Sequence, residues 1–426
     1  MIWLVASLAL AVALVPAAGA SARTLCAGGP HCPRNLRGAI AAARPGDTVR
    51  LAPGDYHGGL HIDKSISLLG ASVSKTTISG GGPVITIGRF MGTHPPKVTV
   101  AKLVISGGHT HGNGIEALGG GIYIPPAKDY RPGARVTLEG VVVEGNQAKP
   151  TRTGGPGPGQ AKEWPACPGG PCPFAIAAGG GIDSWGSLTV IDSEIDRNTV
   201  AGPASDADGG GIAGNLGELR IFGTEIAGNR AEATAPKARF AEGGGVFVTS
   251  GKVVIRGSNL EGNHAVLRSK LPASAGGKPI EMNANSGGLH IGDGVPTTIA
   301  RTVISESKVV ASDPRGEPLA FDAAMLMGDA PLQMRNVRIE GSHLIALAAD
   351  SKVAGPSGSA PSRCRSRGQN RSGARGSCFR SAAPGCRRRA SDMAGTPVHG
   401  DVQLGGDLRP TCRRSEHEDR LRPQRW

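Results

Sequence analysis

The segment VTLEGVVVEGN, from Val136 to Asn146, decides the fold, because its pattern occurs seven times between residues 98 and 342. The other copies begin at Val98, Leu188, Leu219, Val253, Thr297 and Leu332. Position three of this eleven-residue frame is always aliphatic or Met, and position eight is always aliphatic. A pattern that recurs every few tens of residues predicts a solenoid, in which each repeat buries its apolar face against its neighbours. Position eleven is Asn in the four middle copies, at Asn146, Asn198, Asn229 and Asn263.

The pattern inside the frame predicts strands. Apolar residues at positions one and three alternate with polar ones, position five or six carries a turn signal, and position eight begins a second strand. A third strand begins at each glycine triplet, at residues 119–122, 179–182, 209–212 and 243–246, and more weakly at 286–289. Three short strands per coil predict an all-β, single-stranded right-handed parallel β-helix. We expect the asparagines to form a ladder, because Asn tolerates the left-handed conformation and bonds neighbouring backbone groups. A leucine-rich solenoid is the alternative, but no segment between the strands has a helical pattern.

The N-terminal part supports the same fold. Residues 35–71 begin with a short helical pattern, break at Pro45–Gly46 and continue as strands. A helix there would cover the open end of the first coil, which a solenoid needs for solubility. The residues that carry a family resemblance are Ala39, Ile40, Ala43, Pro45, Gly46, Asp47, Thr48, Leu51, Pro53, Gly54, Tyr56, Ile66, Leu68 and Gly70.

This stretch closely resembles the start of the pectate-lyase-like right-handed β-helix superfamily. The glycine-triplet and asparagine units are similar to the repeats of secreted bacterial and polymorphic outer-membrane, adhesin-type β-helix proteins. The resemblance covers roughly residues 26–346. It implies a fold but no single activity, because the superfamily includes lyases, hydrolases, epimerases and adhesins.

Composition divides the chain into three parts. Residues 1–22 have the apolar run and the Ala20-Ser21-Ala22 site of a signal peptide, which predicts a secreted or cell-envelope protein. Residues 23–350 form the predicted β-helix, and the chain's 67 glycines and 3% aromatic residues suit tight corners and aliphatic ladders. No further segment is long and apolar enough to span a membrane.

Residues 351–426 form an arginine-rich tail. They carry 15 arginines and one lysine against six acidic residues, so +10 of the net charge of +13 lies there. The frame is lost and aliphatic residues are few, which predicts disorder or a frameshifted C-terminus. Nucleic-acid binding is a disfavoured third interpretation.

The cysteines outside the tail form two close pairs, Cys26 with Cys32 and Cys167 with Cys172. In an exported chain, two local disulfides are the first interpretation. A metal site made of both pairs is the alternative, but the spacing is loose for zinc.

The frame copies are separated by more residues than three strands need, and the excess falls mainly between the frame asparagine and the next glycine triplet. These insertions should leave the same corner of successive coils and line one face of the solenoid. That face either binds a ligand or consists of surface loops without a binding role. Their basic composition favours an acidic polysaccharide or another cell-surface component as partner. The candidate ligand-binding residues are Trp164, Lys149, Arg152, Lys162, Lys237 and Arg239.

Candidate catalytic residues are few. Asp192, Asp196, Asp206 and Asp208 could approach one another, and paired carboxylates perform acid–base chemistry on glycosidic bonds. A solvated outer face explains Asp192 and Asp196 equally well. His109 and His111 are candidate metal ligands, with an exposed polar loop as the alternative.

Three functions therefore remain open on the sequence. The favoured one is a non-catalytic exported scaffold that binds glycans or proteins and needs no cofactor. The second is a polysaccharide lyase, for which calcium would be the cofactor, or a glycoside hydrolase. The third is a periplasmic metal-handling accessory protein. The oligomeric state is open.

Overall fold

The structure is a computed structural model. It describes residues 21–347 except 33, 113–115, 152–174, 205, 235–237, 270–273, 276–277, 280–282 and 313–318, together with residues 402–404. The predicted fold class is confirmed: the strands stack in parallel sheets, each paired with its counterpart one coil away. The frames align residue for residue, with Val136 paired to Val98 on one side and to Leu188 on the other.

Four parallel sheets run along the stack, and we name them by their place in the coil. The frame sheet contains the strands of the eleven-residue frame, the outgoing sheet follows the frame asparagine, the return sheet precedes the glycine triplet, and the triplet sheet follows it. The frame sheet comprises Thr24–Ala27, Thr48–Leu51, Gly54–His57, Ser67–Leu69, Thr76–Ser79, Lys97–Ala101, Val104–Ser106, Arg135–Glu139, Val142–Glu144, Ser187–Ile191, Glu194–Asp196, Glu218–Phe222, Glu225–Ala227, Lys252–Arg256, Asn259–Glu261, Thr297–Ser305, Leu332–Glu340 and Val402–Leu404.

The other three sheets are shorter. The outgoing sheet comprises His109–Thr110, Gln147–Ala148, Thr199–Val200, Arg230–Ala233, His264–Arg268, Lys308–Ser312 and His343–Leu347. The return sheet comprises Glu116–Leu118, Ile176–Ala178, Asp206–Asp208, Phe240–Glu242, Asn283–Asn285 and Leu319–Phe321. The triplet sheet comprises Leu60–Ile62, Ile85–Ile87, Ile122–Ile124, Ile182–Ser184, Ile212–Gly214, Val246–Val248, Leu289–Ile291 and Met325–Met327. A small hairpin pairs Ser274–Ala275 with Lys278–Pro279.

The predicted coil of three strands is too simple. A complete coil has two frame strands, an outgoing strand, a return strand and a triplet strand. The outgoing and return strands lie where the sequence predicted insertion loops. Their inward side chains form a separate apolar cluster that is mostly alanine, including Ala148, Ala177 and Ala207. The frame and triplet strands enclose the larger aliphatic cluster. Each coil is therefore a main body with a thin arm.

The asparagines lie at the neck between body and arm and form the predicted ladder. The buried Asn198 accepts a hydrogen bond at Oδ1 from the backbone N of Asn146 (3.1 Å) and donates from Nδ2 to the carbonyl oxygen of Val143 (2.8 Å). It also donates to Oδ1 of Asn229 in the next coil (3.0 Å). The left-handed residue is not the asparagine but the one before it, such as Gly145 (φ 60°).

The glycine triplets are required by close backbone approach at this neck. A Cβ on Gly180 would lie 2.5 Å from the carbonyl oxygen of Gly210, and one on Gly181 would lie 3.0 Å from the amide of Asn198. The first glycine of each triplet turns the chain, as Gly209 does at φ 62°. The asparagine and the glycine triplet therefore pack directly against each other. This close packing lets the chain return from the arm to the body next to the strand that runs from the body into the arm.

A helix, Leu36–Ala42, covers the first coil as predicted. Asn35 caps its start by accepting from the backbone N of Gly38 (2.8 Å), and Leu36, Ala39 and Ile40 join the aliphatic core. Lys64 donates from Nζ to three carbonyl oxygens at the end of the helix. A short 3-10 helix spans Lys128–Tyr130. The Cys26–Cys32 disulfide is present.

The tail was predicted to lack regular structure, but three of its residues form a short strand. Val402–Leu404 pair antiparallel with Val337–Ile339 on the last frame strand. The rest of the tail, Cys167, Cys172, and residues 1–20 of the predicted signal segment lie outside the described residues. No helix in the described part of the chain is long and apolar enough to cross a membrane.

Candidate functional site: an acidic cleft between body and arm

The outer faces of the return and triplet sheets meet beside the neck. Each return strand presents its first and third residues outward, and each triplet strand presents its middle residue outward. Several of these side chains are nevertheless buried or half-buried, which shows that the two outer faces lie close together here. The carboxylates at this place are Glu116, Asp183, Asp206, Asp208 and Glu242, which we call the acidic cleft.

Asp183 is fully buried in this cleft. Its Oδ2 accepts from Nε1 of Trp185 (3.0 Å) and its Oδ1 accepts from Nδ2 of Asn215 (2.8 Å). Burial raises its pKa to about 7, against the two hydrogen bonds, with a further contribution from the nearby charge of Glu116. Its carboxyl group is held in one orientation and takes up a proton near neutral pH.

Asp206 and Asp208 lie two residues apart on one return strand and face the same side. Burial raises the pKa of Asp206 to about 6, Arg239 lowers it and Glu242 raises it. Burial raises the pKa of Asp208 well above its ordinary value, and Glu242, Asp206 and Asp183 raise it further. The two aspartates therefore differ: Arg239 favours the ionised form of Asp206, whereas the charges that shift the pKa of Asp208 all favour its protonated form.

Several buried polar atoms in the cleft have no hydrogen-bond partner. Among the described residues, buried side-chain atoms without a hydrogen-bond partner include Oδ1 of Asp206, Asp208 and Asn285, and Nδ1 of His290. Asn285 is only 5% exposed, and its Nδ2 donates to Oε1 of Glu242 (2.6 Å). Buried polar atoms normally have partners, so these atoms are available to hydrogen-bond water or a polar ligand.

Aromatic rings and a neutral imidazole accompany the carboxylates. Tyr130 and Trp185 have ring centroids 6.5 Å apart at one end of the cleft, and Phe247 and His290 are 5.1 Å apart at the other. Burial lowers the pKa of His290 to about 4, so its ring is neutral at pH 7. Arg239 lies over the ring of Phe240, 4.8 Å from its centroid.

The four aspartates considered in the sequence do not form one cluster. Asp206 and Asp208 lie in the cleft, but Asp192 and Asp196 belong to the frame and lie on another sheet. Asp192 occupies the left-handed fifth position (φ 45°), and Asp196 pairs with Arg197. Sequence reasoning missed Glu116, Asp183 and Glu242. A signal existed, because Asp208, Glu242 and Asn285 each directly precede a glycine triplet or its variant.

The other candidate residues are dispersed. Arg239 borders the cleft beside Asp206. Lys149 is exposed on the arm, where its carbonyl oxygen accepts from Nδ1 of His111 (2.9 Å). His109 and His111 are both exposed, and the described residues contain no group of three His, Cys, Asp or Glu side chains that could hold a metal ion. Trp164, Arg152, Lys162 and Lys237 lie outside the described residues.

A separate cavity of about 730 Å³ lies beside the loop that joins a triplet strand to the next frame strand. The Asp63–Arg89 ion pair, the half-exposed Phe90 and His94 line it. None of the acidic-cleft residues lines this cavity.

No protein-family model and no curated protein matches this chain. Among solved structures, it is similar to the crystal structure of pectate lyase Pel9A, with 15% sequence identity, a TM-score of 0.35, and coverage of 79% of this chain and 80% of that one. It is also similar to the A-module of the Azotobacter vinelandii mannuronan C-5 epimerase AlgE6, with 12% identity, a TM-score of 0.24, and coverage of 74% and 95%. Neither similarity assigns an activity to this chain.

Proposed function

We propose that the acidic cleft binds a carbohydrate chain and hydrolyses a glycosidic bond by acid–base catalysis. The observation that carries this proposal is the pair Asp206 and Asp208, whose buried Oδ1 atoms lack partners and whose pKa values are raised. Clustered carboxyl groups with strongly shifted pKa values are typical of catalytic sites. Aromatic rings beside polar groups also suit a sugar, which has apolar faces and hydroxyl edges.

The roles follow from the two environments. Asp208, whose pKa is raised by burial and further by Glu242 and Asp206, acts as the general acid and donates its proton to the glycosidic oxygen as the bond from the anomeric carbon breaks. Asp206, which Arg239 keeps more acidic, removes a proton from the water whose oxygen bonds to that carbon. Two strand rises separate their Cα atoms by about 6.6 Å. Both side chains lie on the same side of this strand, as a pair that acts on one glycosidic bond requires.

Incubation of the full chain with a panel of polysaccharides tests the proposal. We expect new reducing ends without ultraviolet absorbance, because absorbance marks the unsaturated product of a lyase. Asp208→Asn and Asp206→Asn should each lower the rate by about 10²–10⁴-fold, the usual contribution of a general acid or base. Asp192→Asn is the matched control, since it removes a carboxylate outside the cleft and Asn tolerates a positive φ.

The same assay separates the other functions expected from the sequence. Carbohydrate binding without any product would support the non-catalytic scaffold and refute hydrolysis. An ultraviolet-absorbing product, with or without added calcium, would support a lyase. For a secreted or cell-envelope location the support is the signal-like segment of residues 1–22, and detection of the mature chain outside the cytoplasm would test it.

A further inference from the structure

Among the described residues, the acidic cleft holds more groups that can carry a negative charge than groups that carry a positive one. Its five carboxylates face one cation, Arg239, which lies over Phe240 at the edge beside Asp206. His290 adds no positive charge near neutral pH, because burial lowers its pKa to about 4. A cationic sugar would favour the ionised form of these carboxyl groups and be attracted to it, whereas an anionic sugar would keep them protonated or be repelled.

The buried oxygen atoms that lack a hydrogen-bond partner on the two aspartates and on Asn285 are hydrogen-bond acceptors. Oδ1 of Asp206, Asp208 and Asn285 is buried without a donor. Asn285 already uses its amide group to donate to Glu242, which leaves its oxygen as the available atom. A ligand that completes these bonds must supply N–H or O–H donors. An ammonium group supplies three donors and a positive charge at once.

These acceptors repeat along the stack. Asp208, Glu242 and Asn285 occupy the same register position on three successive return strands. Neighbouring strands are about 4.8 Å apart, so the row presents one acceptor group per coil at a regular interval. A regular row suits a polymer that carries one donor group on each unit.

We propose that the ligand of the acidic cleft is an amino-sugar polymer whose protonated amino groups are bound by Asp206, Asp208, Glu242 and Asn285. This proposal rests on the proposed carbohydrate-binding function and specifies its substrate class. It reverses the expectation of an acidic polysaccharide, which came from basic residues in the insertions. Most of those residues lie outside the described part of the chain, and Lys149 is exposed on the arm.

Binding should release protons, because a bound ammonium group favours the ionised form of Asp206. The groups that face the bound amino groups are Glu116, Tyr123, Asp183, Asp206, Asp208, Arg239, Glu242 and His290. Asp206, with a pKa of about 6, ionises between pH 5 and 7, so its contribution to the binding of a protonated amino group should rise over that interval.

Calorimetry on the full chain compares two matched probes, a glucosamine hexamer and the N-acetylglucosamine hexamer. One charge-assisted hydrogen bond corresponds to about a tenfold change in affinity. We therefore expect the glucosamine hexamer to bind at least tenfold tighter at pH 6, with proton release. Glu242→Gln and Asp206→Asn should remove that preference. Glu261→Gln on the frame sheet should leave it unchanged, and equal thermal midpoints establish that the variants are folded.

Equal affinity for the two hexamers, or a preference that Glu242→Gln leaves unchanged, would overturn the amino-sugar proposal. These outcomes differ from a failure of the proposed hydrolysis. Preferential binding of the glucosamine hexamer without cleavage would refute catalysis and support this inference. Cleavage of the N-acetylated hexamer with no preference for free amino groups would support catalysis and refute the amino-sugar proposal.

Discussion

The side chain of Asn198 makes four hydrogen bonds inside the neck, two with Asn146 and one with Val143 in the preceding coil, and one with Asn229 in the next. Removing the side chain leaves the backbone N of Asn146 and the carbonyl oxygen of Val143 short of partners in a buried place. Unsatisfied buried groups cost about 1–3 kcal/mol each. We expect Asn198→Ala to lower the free energy of unfolding by about 3 kcal/mol, measured by chemical denaturation. Asn259→Ala, at a frame position nearer the surface, should change it by less than about 0.5 kcal/mol; equal losses would contradict the ladder's role.

Asp183 predicts a pH dependence of stability. Its pKa is raised from 3.8 to about 7 by burial, so the folded chain holds a proton that the unfolded chain releases above pH 4. The stabilisation from this group is therefore complete below pH 4 and is lost as the pH rises through about 7. Asp183→Asn should flatten the fall in unfolding free energy between pH 4 and 7, measured by denaturation at each pH. An identical slope in both proteins would show that Asp183 is not protonated in the fold.

At the scale of elements, the arm is thin because alanine fills the space between its two sheets. Ala207 is fully buried in that cluster, on the return strand that carries Asp206 and Asp208. Overpacking a filled core costs about 1–3 kcal/mol. We expect Ala207→Leu to reduce stability by that amount and to impair any activity of the cleft, because the strand must move. Ala227→Leu on the outer face of a frame strand is the control, and similar effects on stability from both would contradict a packed alanine core.

The sequence predicted the frame strands, the capping helix and the asparagine ladder, because each has a local signal in side-chain period or capping. It did not predict the arm strands, since alanine at alternate positions is too small to mark a core. Asp206 and Asp208 were identified from their spacing, but Asp183 and Glu242 were not. These two residues lie close to Asp206 and Asp208 because the return and triplet strands approach each other at the neck. The relative orientation of these strands cannot be predicted from the sequence of a single coil.

At the scale of the molecule, a stack of parallel strands ends in an unpaired edge unless something covers it. The first coil is covered by the helix Leu36–Ala42. At the other end, Val402–Leu404 pair with Val337–Ile339, the second half of the last frame strand. Exposed strand edges promote association between chains. Val402–Leu404 therefore cover part of the last frame strand, although the sequence predicted no regular structure in the tail.

Two truncations that differ by three residues test this covering strand. A chain that ends at residue 404 keeps the antiparallel strand, whereas one that ends at residue 401 loses it. Both lack all of the arginines that follow residue 404, so they differ only in the strand residues. We expect the shorter chain to self-associate in sedimentation velocity as its concentration rises, because the edge at Val337–Ile339 becomes available for pairing. The longer chain should stay in the same state as the full chain. If the two truncated chains sediment alike at every concentration, Val402–Leu404 does not protect this edge.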